Sequence, residues 1–306
     1  MDAISTDAAT LDYSGLSPII LAASSEPAMV RAEWIALATR FRVGAKVPID
    51  GAQRRMEVQM KASALWVELD CDAGSAMDDL LDLVDLDVRD GRYAAVVSTT
   101  SDLVDPVAAR LRTGDVEVLV EAGDSERVAA LASAVSRHRA RFVVRDVASD
   151  NNAERLRQLS EEVSRIASTL ARLSTGPGAP VRTLEPLPAG DVPAVSADTV
   201  RAVIRARRAR TRYFREDLFA DPAWDMLLDL LQAEIAQLRV PVSSLCIAAS
   251  VPATTALRWL KTMVSQGIFV RRADPHDGRR VFVELAPDAS QALRRYFAEV
   301  GQVAVI

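Results

Sequence analysis

The chain has 306 residues, of which 26% are charged and 49% hydrophobic, and its formal net charge is −5. This length allows two domains with separate cores, and the composition is that of a globular protein. No apolar run reaches the roughly 18 residues of a membrane helix, and no basic segment followed by an apolar one opens the chain, so we expect a cytoplasmic protein without a membrane partner.

The charge is unevenly distributed along the chain. From residue 197 onward there are 16 Lys and Arg against 12 Asp and Glu, a balance of +4. The rest of the chain holds 37 − 16 = 21 basic and 42 − 12 = 30 acidic residues, a balance of −9. This asymmetry indicates a C-terminal nucleic-acid module joined to an acidic sensing or partner module.

The cysteine, histidine and glycine patterns indicate neither catalytic nor metal chemistry. Cys71 and Cys246 lie far apart in the sequence, and His138 and His276 form no metal-ligand cluster with them. The chain contains no glycine-rich phosphate loop and no G-x-S-x-G motif. We therefore predict a protein that is not an enzyme and that has no disulfide, metal or cofactor.

Short apolar runs alternate with helical patterns in the first half of the chain. The alternation predicts a parallel α/β sheet, covered by helices on both faces, over residues 15–150. Strands are predicted at 17–23, 46–49, 64–70, 93–98, 116–120 and 141–144, and helices at 28–43, 52–62, 77–88, 104–111 and 125–136.

This strand and helix order resembles the receiver domain of response regulators. Asp70 ends the third predicted strand, where receivers keep their phospho-acceptor, and Ser98, Thr99 and Thr100 end the fourth, where receivers keep a switch hydroxyl. The acidic pair that binds Mg²⁺ is missing after the first strand, and the expected lysine is missing after the fifth. The resemblance implies a degenerate receiver that serves as a platform for dimerisation or for a signalling protein, with Asp70 as a low-ranking candidate phospho-acceptor. An unrelated α/β domain is the alternative.

The third predicted helix region carries many aspartates, which the pattern predicts to be a solvated face rather than a metal site. These residues are Asp72, Asp78, Asp79, Asp82, Asp85, Asp87 and Asp90.

Residues 152–173 show a heptad pattern. Six apolar residues follow one another at spacings of 3, 4, 3, 4 and 3, which favours a two-stranded coiled coil and therefore a homodimer. One amphipathic helix packed on its own domain is the alternative. The dimerisation residues would be Leu156, Leu159, Val163, Ile166, Leu170 and Leu173. Five prolines in residues 174–197 then predict a semi-extended linker before a last domain, 198–306.

The last domain reads as a winged helix-turn-helix of the α+β class. A short helix at 244–249, a turn and a second helix at 253–266 precede a hairpin whose second strand, 281–285, alternates apolar and polar residues. In the second helix, one face should be buried, namely Ala256, Trp259, Leu260 and Met263. The opposite side would contact DNA through Thr254, Thr255, Arg258 and Lys261. A solvated helix face is the alternative.

The hairpin tip supplies the second set of predicted DNA contacts. Asp277-Gly278-Arg279 forms a tight turn with a cation, and an arginine there can enter the negative minor groove. Asp277 is expected to hold the Arg279 guanidinium by a bidentate pair, and Arg280 adds a further cation. A surface hairpin with a local ion pair is the alternative.

This domain resembles the MarR-type winged-helix regulators. The resemblance rests on residues 251–267, on 268–272 and on Asp274 to Arg279 followed by the alternating strand. It implies dimeric binding of palindromic double-stranded DNA, with helix 253–266 in the major groove and wing 274–280 in the minor groove. We therefore predict a homodimeric, sequence-specific transcriptional regulator. The alternative is a protein-interaction adaptor in a signalling pathway, which would use its winged domain to bind protein.

Overall fold

A computed structural model of the protein describes residues 17–112, 114–147 and 193–300. Contacts divide the chain into two units, one made of residues 1–135 and 193–306 and the other of residues 136–192. The predicted coiled coil and linker residues 174–192 lie outside the described residues, so dimerisation and the domain boundaries stay predictions. That coiled coil comprises Leu156, Leu159, Val163, Ile166, Leu170 and Leu173.

The first half of the chain forms a five-stranded parallel sheet with strand order β2-β1-β3-β4-β5. Its strands are β1 (Ile19–Ala23), β2 (Val43–Pro48), β3 (Ala64–Glu68), β4 (Ala94–Thr99) and β5 (Glu117–Val120). Its helices are α1 (Glu26–Thr39), α2 (Ile49–Glu57), α3 (Ser75–Arg89), α4 (Val104–Arg110) and α5 (Asp124–Val147). The predicted parallel α/β sheet is thus confirmed, and its order is common to many doubly wound folds, receivers included.

Helices cover both faces of this sheet because successive strand residues point to opposite sides. Ile20 and Ala22 of β1 pack with α2, α3 and α4, whereas Ile19 and Leu21 pack with α1 and α5. All residues of β1, β3 and β4 are buried, as expected for strands with continuous apolar runs.

The strand predicted at 141–144 is wrong, because these residues continue α5. A four-residue apolar run does not distinguish a strand from a segment of helix. Here the helical pattern that begins at Asp124 simply extends through it.

The C-terminal part combines helices with a three-stranded antiparallel sheet of order β6-β8-β7. Its helices are α6 (Ala197–Ala209), α7 (Pro222–Ile235), α8 (Val242–Ala248), α9 (Ala253–Ser265) and α10 (Pro287–Val300). Its strands are β6 (Val240–Pro241), β7 (Phe269–Ala273) and β8 (Val281–Leu285).

Local signals set the boundaries of these elements. The Asp221 carboxylate accepts a hydrogen bond from the Trp224 N–H at 3.2 Å, and Pro222 takes the first helical position of α7. After α9, Gly267 adopts a φ of 71°, in the left-handed region that ends helices without strain in glycine. Val281, Val283 and Leu285 are buried in β8, as the alternation predicts.

The buried face of α9 differs from the prediction at Trp259 and Leu257. Ala256, Leu260 and Met263 are buried, but Trp259 is 40% exposed. Leu257, which was not assigned to the core, is buried instead. Leu257 is buried because it packs against residues of the α/β part as well as against the C-terminal part.

Candidate nucleic-acid interface

The predicted DNA-contact helix, α9, lies against strand β5 of the parallel sheet. Leu257 and Leu260 share an apolar contact region with α4 and β5, whose other apolar members are Val104, Val107, Ala108, Leu111 and Val118. The buried apolar residues of the sheet and of the C-terminal part therefore form one continuous cluster. Three of the predicted DNA-contact residues, Thr254, Arg258 and Lys261, make polar interactions beside this apolar contact.

Helix α9 covers an open sheet edge, because β5 is the last strand in the sheet order. An edge strand presents unpaired backbone N–H and C=O groups. The Thr254 hydroxyl accepts a hydrogen bond from the Val120 N–H at 2.9 Å and donates to the Val120 carbonyl at 3.4 Å. Thr254 is 2% exposed, so this predicted DNA-contact residue is buried on the sheet edge.

Two basic side chains extend the same contact along β5. The Arg258 Nε donates to the Glu117 carboxylate at 3.0 Å, and the Lys261 ammonium donates to the Val116 carbonyl at 2.7 Å. Thr254, Arg258 and Lys261 are spaced 4 and 3 residues apart on one helix face. That whole face therefore follows the strand edge.

Burial lowers the pKa of Lys261 to about 8, although the neighbouring Glu117 carboxylate opposes the shift. Arg271 of β7 is also drawn into the contact. Its guanidinium donates to the Leu111 carbonyl at 3.2 Å and to the Ala108 carbonyl, and burial lowers its pKa. Lys261 and Arg271 thus exchange hydration for hydrogen bonds to backbone carbonyl oxygens.

The low pKa of Lys261 predicts a stability that rises with pH. Between pH 8 and 10.5 the unfolded chain binds the proton that the folded chain has released, so the free energy of unfolding increases with pH in this window. From pH 8 to 9, wild type should gain about 1 kcal/mol relative to Lys261→Met. Urea denaturation of both proteins at the two pH values measures this difference.

The buried thiol of Cys246 changes the free energy of unfolding with pH in the opposite direction, and the comparison of wild type with Lys261→Met cancels this effect. Burial raises the pKa of that thiol to about 12, which lowers stability above pH 9 equally in both. Parallel stabilities of wild type and Lys261→Met across the window would contradict a buried, proton-releasing Lys261.

The hairpin between β7 and β8 also contacts the α/β part. The Arg279 guanidinium donates to both Asp72 carboxylate oxygens, at 2.8 and 2.7 Å, and lies 3.3 Å from Asp78. These interactions raise the pKa of Arg279, with the Asp72 hydrogen bonds as the largest cause, and lower the pKa of Asp72. The predicted minor-groove cation is thus held by two carboxylates.

The expected bidentate pair between Asp277 and Arg279 is therefore wrong. The Asp277 carboxylate accepts from the Arg279 backbone N–H at 2.9 Å and pairs with the Arg280 Nε at 3.3 Å. Accepting from the N–H two residues ahead closes the turn and leaves the Arg279 side chain to reach outward. Arg280 is exposed at 65% of its side chain, and Thr255 lies half-buried beside the covered face of α9.

A third polar contact joins α8 to the α/β part. The Asp105 carboxylate accepts from the Ser243 N–H at 2.9 Å and from the Ser243 hydroxyl at 2.6 Å. Asp72, Asp105 and Glu117 thus supply carboxylates to three successive elements of the C-terminal part. The sequence pattern predicted this role for none of the three carboxylates, and it did not distinguish Arg271 or Leu257 either.

The expectation of a solvated aspartate face is also wrong for part of that set. Asp78, Asp85 and Asp87 are buried. Asp87 accepts from Arg92 and Tyr93, and Asp85 accepts from the Arg112 backbone N–H. Buried carboxylates are stable here because each has a donor.

The candidate phospho-acceptor lies in a separate, closed network at the carboxyl edge of β1 and β3. Asp70 accepts from the Ser24 hydroxyl at 2.9 Å, from Ser25 at 2.7 Å and from Arg31 at 2.8 Å. Burial alone would raise the pKa of Asp70, but the hydrogen bonds from Ser25, Arg31 and Ser24 lower it to about 2. The carboxylate therefore has three neighbouring donors and is 25% exposed.

Glu68, on β3, organises this network. Its carboxylate lies 3.3 Å from Arg31 and 3.1 Å from Arg127, and it accepts from Trp66 Nε1 at 3.0 Å. Glu68 is 2% exposed. The sequence does contain a signal for this buried ion pair, because Glu68 directly follows the apolar run of residues 64–67 in a buried strand.

Within residues 17–112, 114–147 and 193–300, no group of His, Cys, Asp or Glu is arranged to hold a metal ion. No helix of the described ranges combines the length and apolar content that crossing a membrane requires.

The chain matches no protein-family model and no curated protein. Among solved structures, a transcriptional regulator from Thermotoga maritima is similar at 19% identity. The similarity covers 34% of this chain and 76% of that one, with a TM-score of 0.21. A TM-score of this size does not establish a common fold, so the MarR-type and receiver resemblances stay hypotheses based on motifs.

Proposed function

We propose that the protein is a homodimeric, sequence-specific DNA-binding transcriptional regulator whose DNA-contact surface is covered by its own α/β part in this conformation. The observation that carries the proposal is the arrangement of α8, a short turn and α9, followed by the β7–β8 hairpin. Basic side chains converge on one side of this arrangement, namely Arg258, Lys261, Arg271 and Arg279. A helix for the major groove beside a cationic hairpin suits duplex DNA.

The partners of these cations support the same interpretation. Arg258 and Arg279 are paired with carboxylates, and Lys261 is bound to a carbonyl oxygen. Phosphate groups and base edges of DNA offer the same kind of acceptor to the same donors. In this proposal, DNA would supply oxygen acceptors to the same donors once the α/β part has moved away.

In this proposal, the α/β part lowers the apparent affinity for DNA by covering α9. Thr254 and Leu257 are buried, so DNA cannot reach α9 unless the α/β part moves away. The apparent affinity is then reduced by the fraction of molecules that are open, and each 1.4 kcal/mol of closing free energy lowers it about tenfold. In this proposal the acidic α/β part decides when the regulator binds, and a signalling protein that binds the α/β part would favour the open form.

A protein-interaction adaptor is the second candidate, and one observation favours it. The face of α9 that the sequence assigns to DNA is complementary to a protein surface, because Leu257 beside it is buried, Arg258 pairs with Glu117, and Lys261 donates to the Val116 carbonyl. A winged module that recognises a strand edge in its own chain could recognise one in a partner.

In-vitro selection of bound genomic fragments distinguishes the two functions. The regulator should select fragments that share a palindrome with half-sites about one helical turn apart. Absence of salt-sensitive binding to any fragment would overturn the proposal. Capture of a protein partner that survives nuclease treatment would then support the adaptor.

Arg258 and Arg279 should contribute differently to binding of the selected sequence. Arg258→Ala should lower affinity for that sequence roughly tenfold while affecting random DNA little, because it removes a base contact. Arg279→Ala should weaken both DNAs about equally. We name as the covering contact the interactions of the α/β part with α8, α9 and the hairpin, which include Asp105–Ser243, Glu117–Arg258 and Asp72–Arg279. Both arginines take part in it, so each variant is compared in a chain that already carries Glu117→Gln and Asp72→Asn. Equal losses on both DNAs for Arg258→Ala would contradict the assigned roles.

A further inference from the structure

Helix α6 has two chemically distinct faces. Val200 and Val203 are buried against the neighbouring helix α7, and Arg207 is directed inward, where its Nε donates to Asp225 at 2.8 Å. The opposite side carries a row of arginines at spacings of 4, 3 and 4 residues, which we name the arginine face. It consists of Arg201, Arg205 and Arg208 of α6 and Arg212 of the short turn that follows.

The arginine face carries positive charge that the described residues do not neutralise. Arg201 forms an exposed pair with Asp198 at 2.7 Å. Within residues 17–112, 114–147 and 193–300, no ion pair within 4.0 Å is formed by Arg205, Arg208 or Arg212, although Arg208 lies near enough to Asp229 to act on its pKa. Arg205, Arg208 and Arg212 are exposed. The cations on α9 and the hairpin differ in this respect, because they are paired or buried.

The geometry of the row fits a regular polyanion. At a rise of about 1.5 Å per residue, Arg201 and Arg208 are separated by about 10 Å along the helix. One DNA strand presents a phosphate about every 3.4 Å along its axis, so this span corresponds to about three phosphates. Guanidinium groups bind phosphate oxygens in a bidentate manner, and the row contains arginine rather than lysine.

The arginine face reaches the turn that precedes the proposed DNA-contact helix, α9. Arg208 and Ser250 line the same surface cleft, and Ser250 belongs to the turn that leads into α9. At the end of the row, Tyr213 is 79% exposed and offers a hydroxyl donor next to Arg212. A duplex that extends from the start of α9 across this turn would therefore approach Arg208.

We infer that the arginine face is a docking surface for the phosphate backbone of duplex DNA, and that it stays accessible while α9 and the hairpin are covered. This inference rests on the proposed function and adds a second, sequence-independent contact to it. The closed protein then binds DNA weakly and in a salt-dependent manner. Release of the α/β part converts this bound form into the sequence-specific one.

The test uses the full chain and a short duplex of random sequence, with fluorescence anisotropy measured between about 50 and 200 mM salt. The variant carries Arg205→Gln, Arg208→Gln and Arg212→Gln, all at exposed positions. The matched control carries Arg42→Gln, Arg54→Gln and Lys61→Gln, which remove the same charge from exposed positions of the α/β part. Circular dichroism and thermal melting verify that both variants are folded.

Loss of the arginine face should lower affinity about tenfold at the lowest salt and reduce the slope of log K against log salt by about 2 to 3, since each phosphate contact contributes about 0.9. The control should change affinity less than about twofold. Equal effects in the two variants, or absence of wild-type binding to random duplex, would overturn the inference. Fragment selection by wild type tests the proposed function separately, because it depends on sequence and random-duplex binding does not.

Discussion

Replacing the three carboxylates of the covering contact should tighten binding to the selected DNA site about 30-fold. The variant is Asp72→Asn, Asp105→Asn and Glu117→Gln, all within the α/β part and outside the proposed DNA-contact residues. Each substitution keeps the shape of the side chain and removes its charge, so the contacts to Arg279, Ser243 and Arg258 weaken only in the closed form.

The magnitude follows from partial exposure of these contacts. The side chains of Asp72 and Arg258 are 47% and 57% exposed, so solvent screens both ion pairs. Each contact is then worth about 0.5 to 1 kcal/mol, and three together amount to about 2 kcal/mol, which is about 30-fold in the open fraction. The apolar contact around Leu257 remains, so the closed form is weakened but not abolished.

Anisotropy titration of the selected duplex measures the effect, and a charge-matched variant controls for it. Glu57→Gln, Asp79→Asn and Asp90→Asn remove the same charge from exposed positions of the α/β part that lie outside the contact. If the control tightens binding as much as the test variant, general electrostatics rather than opening would explain the result. Unchanged affinity in both variants would show that these carboxylates do not restrict access to DNA.

Glu68→Gln should lower the free energy of unfolding by about 3 kcal/mol. Removing one charge from a buried ion pair leaves its partners uncompensated, which costs about 3 to 5 kcal/mol. Arg31 would keep its pair with Asp70 at 2.8 Å, so the loss falls mainly on Arg127, whose side chain is 13% exposed and whose other carboxylate, Asp124, lies 3.7 Å away. Glutamine keeps the volume and can still accept from Trp66, so the low end of that range is expected.

Urea denaturation followed by far-ultraviolet circular dichroism measures this loss. The matched control is Glu33→Gln, because Glu33 forms an exposed pair with Lys46 at 2.9 Å. The control should cost less than about 0.5 kcal/mol. A loss below about 1 kcal/mol for Glu68→Gln would show that Asp70 and Asp124 compensate the two arginines without Glu68.

The covering contact also explains how the sheet tolerates an open strand. An exposed edge strand invites pairing with other chains, and proteins commonly protect such edges with charge or with a covering helix. Here Thr254 and Lys261 bind the backbone of Val120 and Val116 directly. Opening the molecule for DNA would therefore expose the edge of β5. The free-energy cost of exposing this edge favours the closed form, and through it the α/β part would control DNA binding in the proposed function.

Most elements of the fold could be predicted because their signals are local. The alternating burial of β8, the Asp221-Pro222 start of α7 and the end of α9 at Gly267 depend on residues a few positions apart. The prediction failed at 141–144, where a short apolar run fits helix and strand equally well. It also failed at Trp259 and Leu257, since helical periodicity does not reveal that a second surface covers α9.

The candidate site shows the same distinction between features set by local sequence and features set by tertiary packing. The sequence by itself determined most helices and strands, and it determined the polar row of Thr254, Arg258 and Lys261, because side chains four and three residues apart must share one face of a helix. Only the tertiary structure decided that this row meets β5. Its partners lie 134 to 145 positions away, and their position depends on how the whole apolar core packs. A basic helix face has the same pattern whether water, DNA or a strand edge covers it.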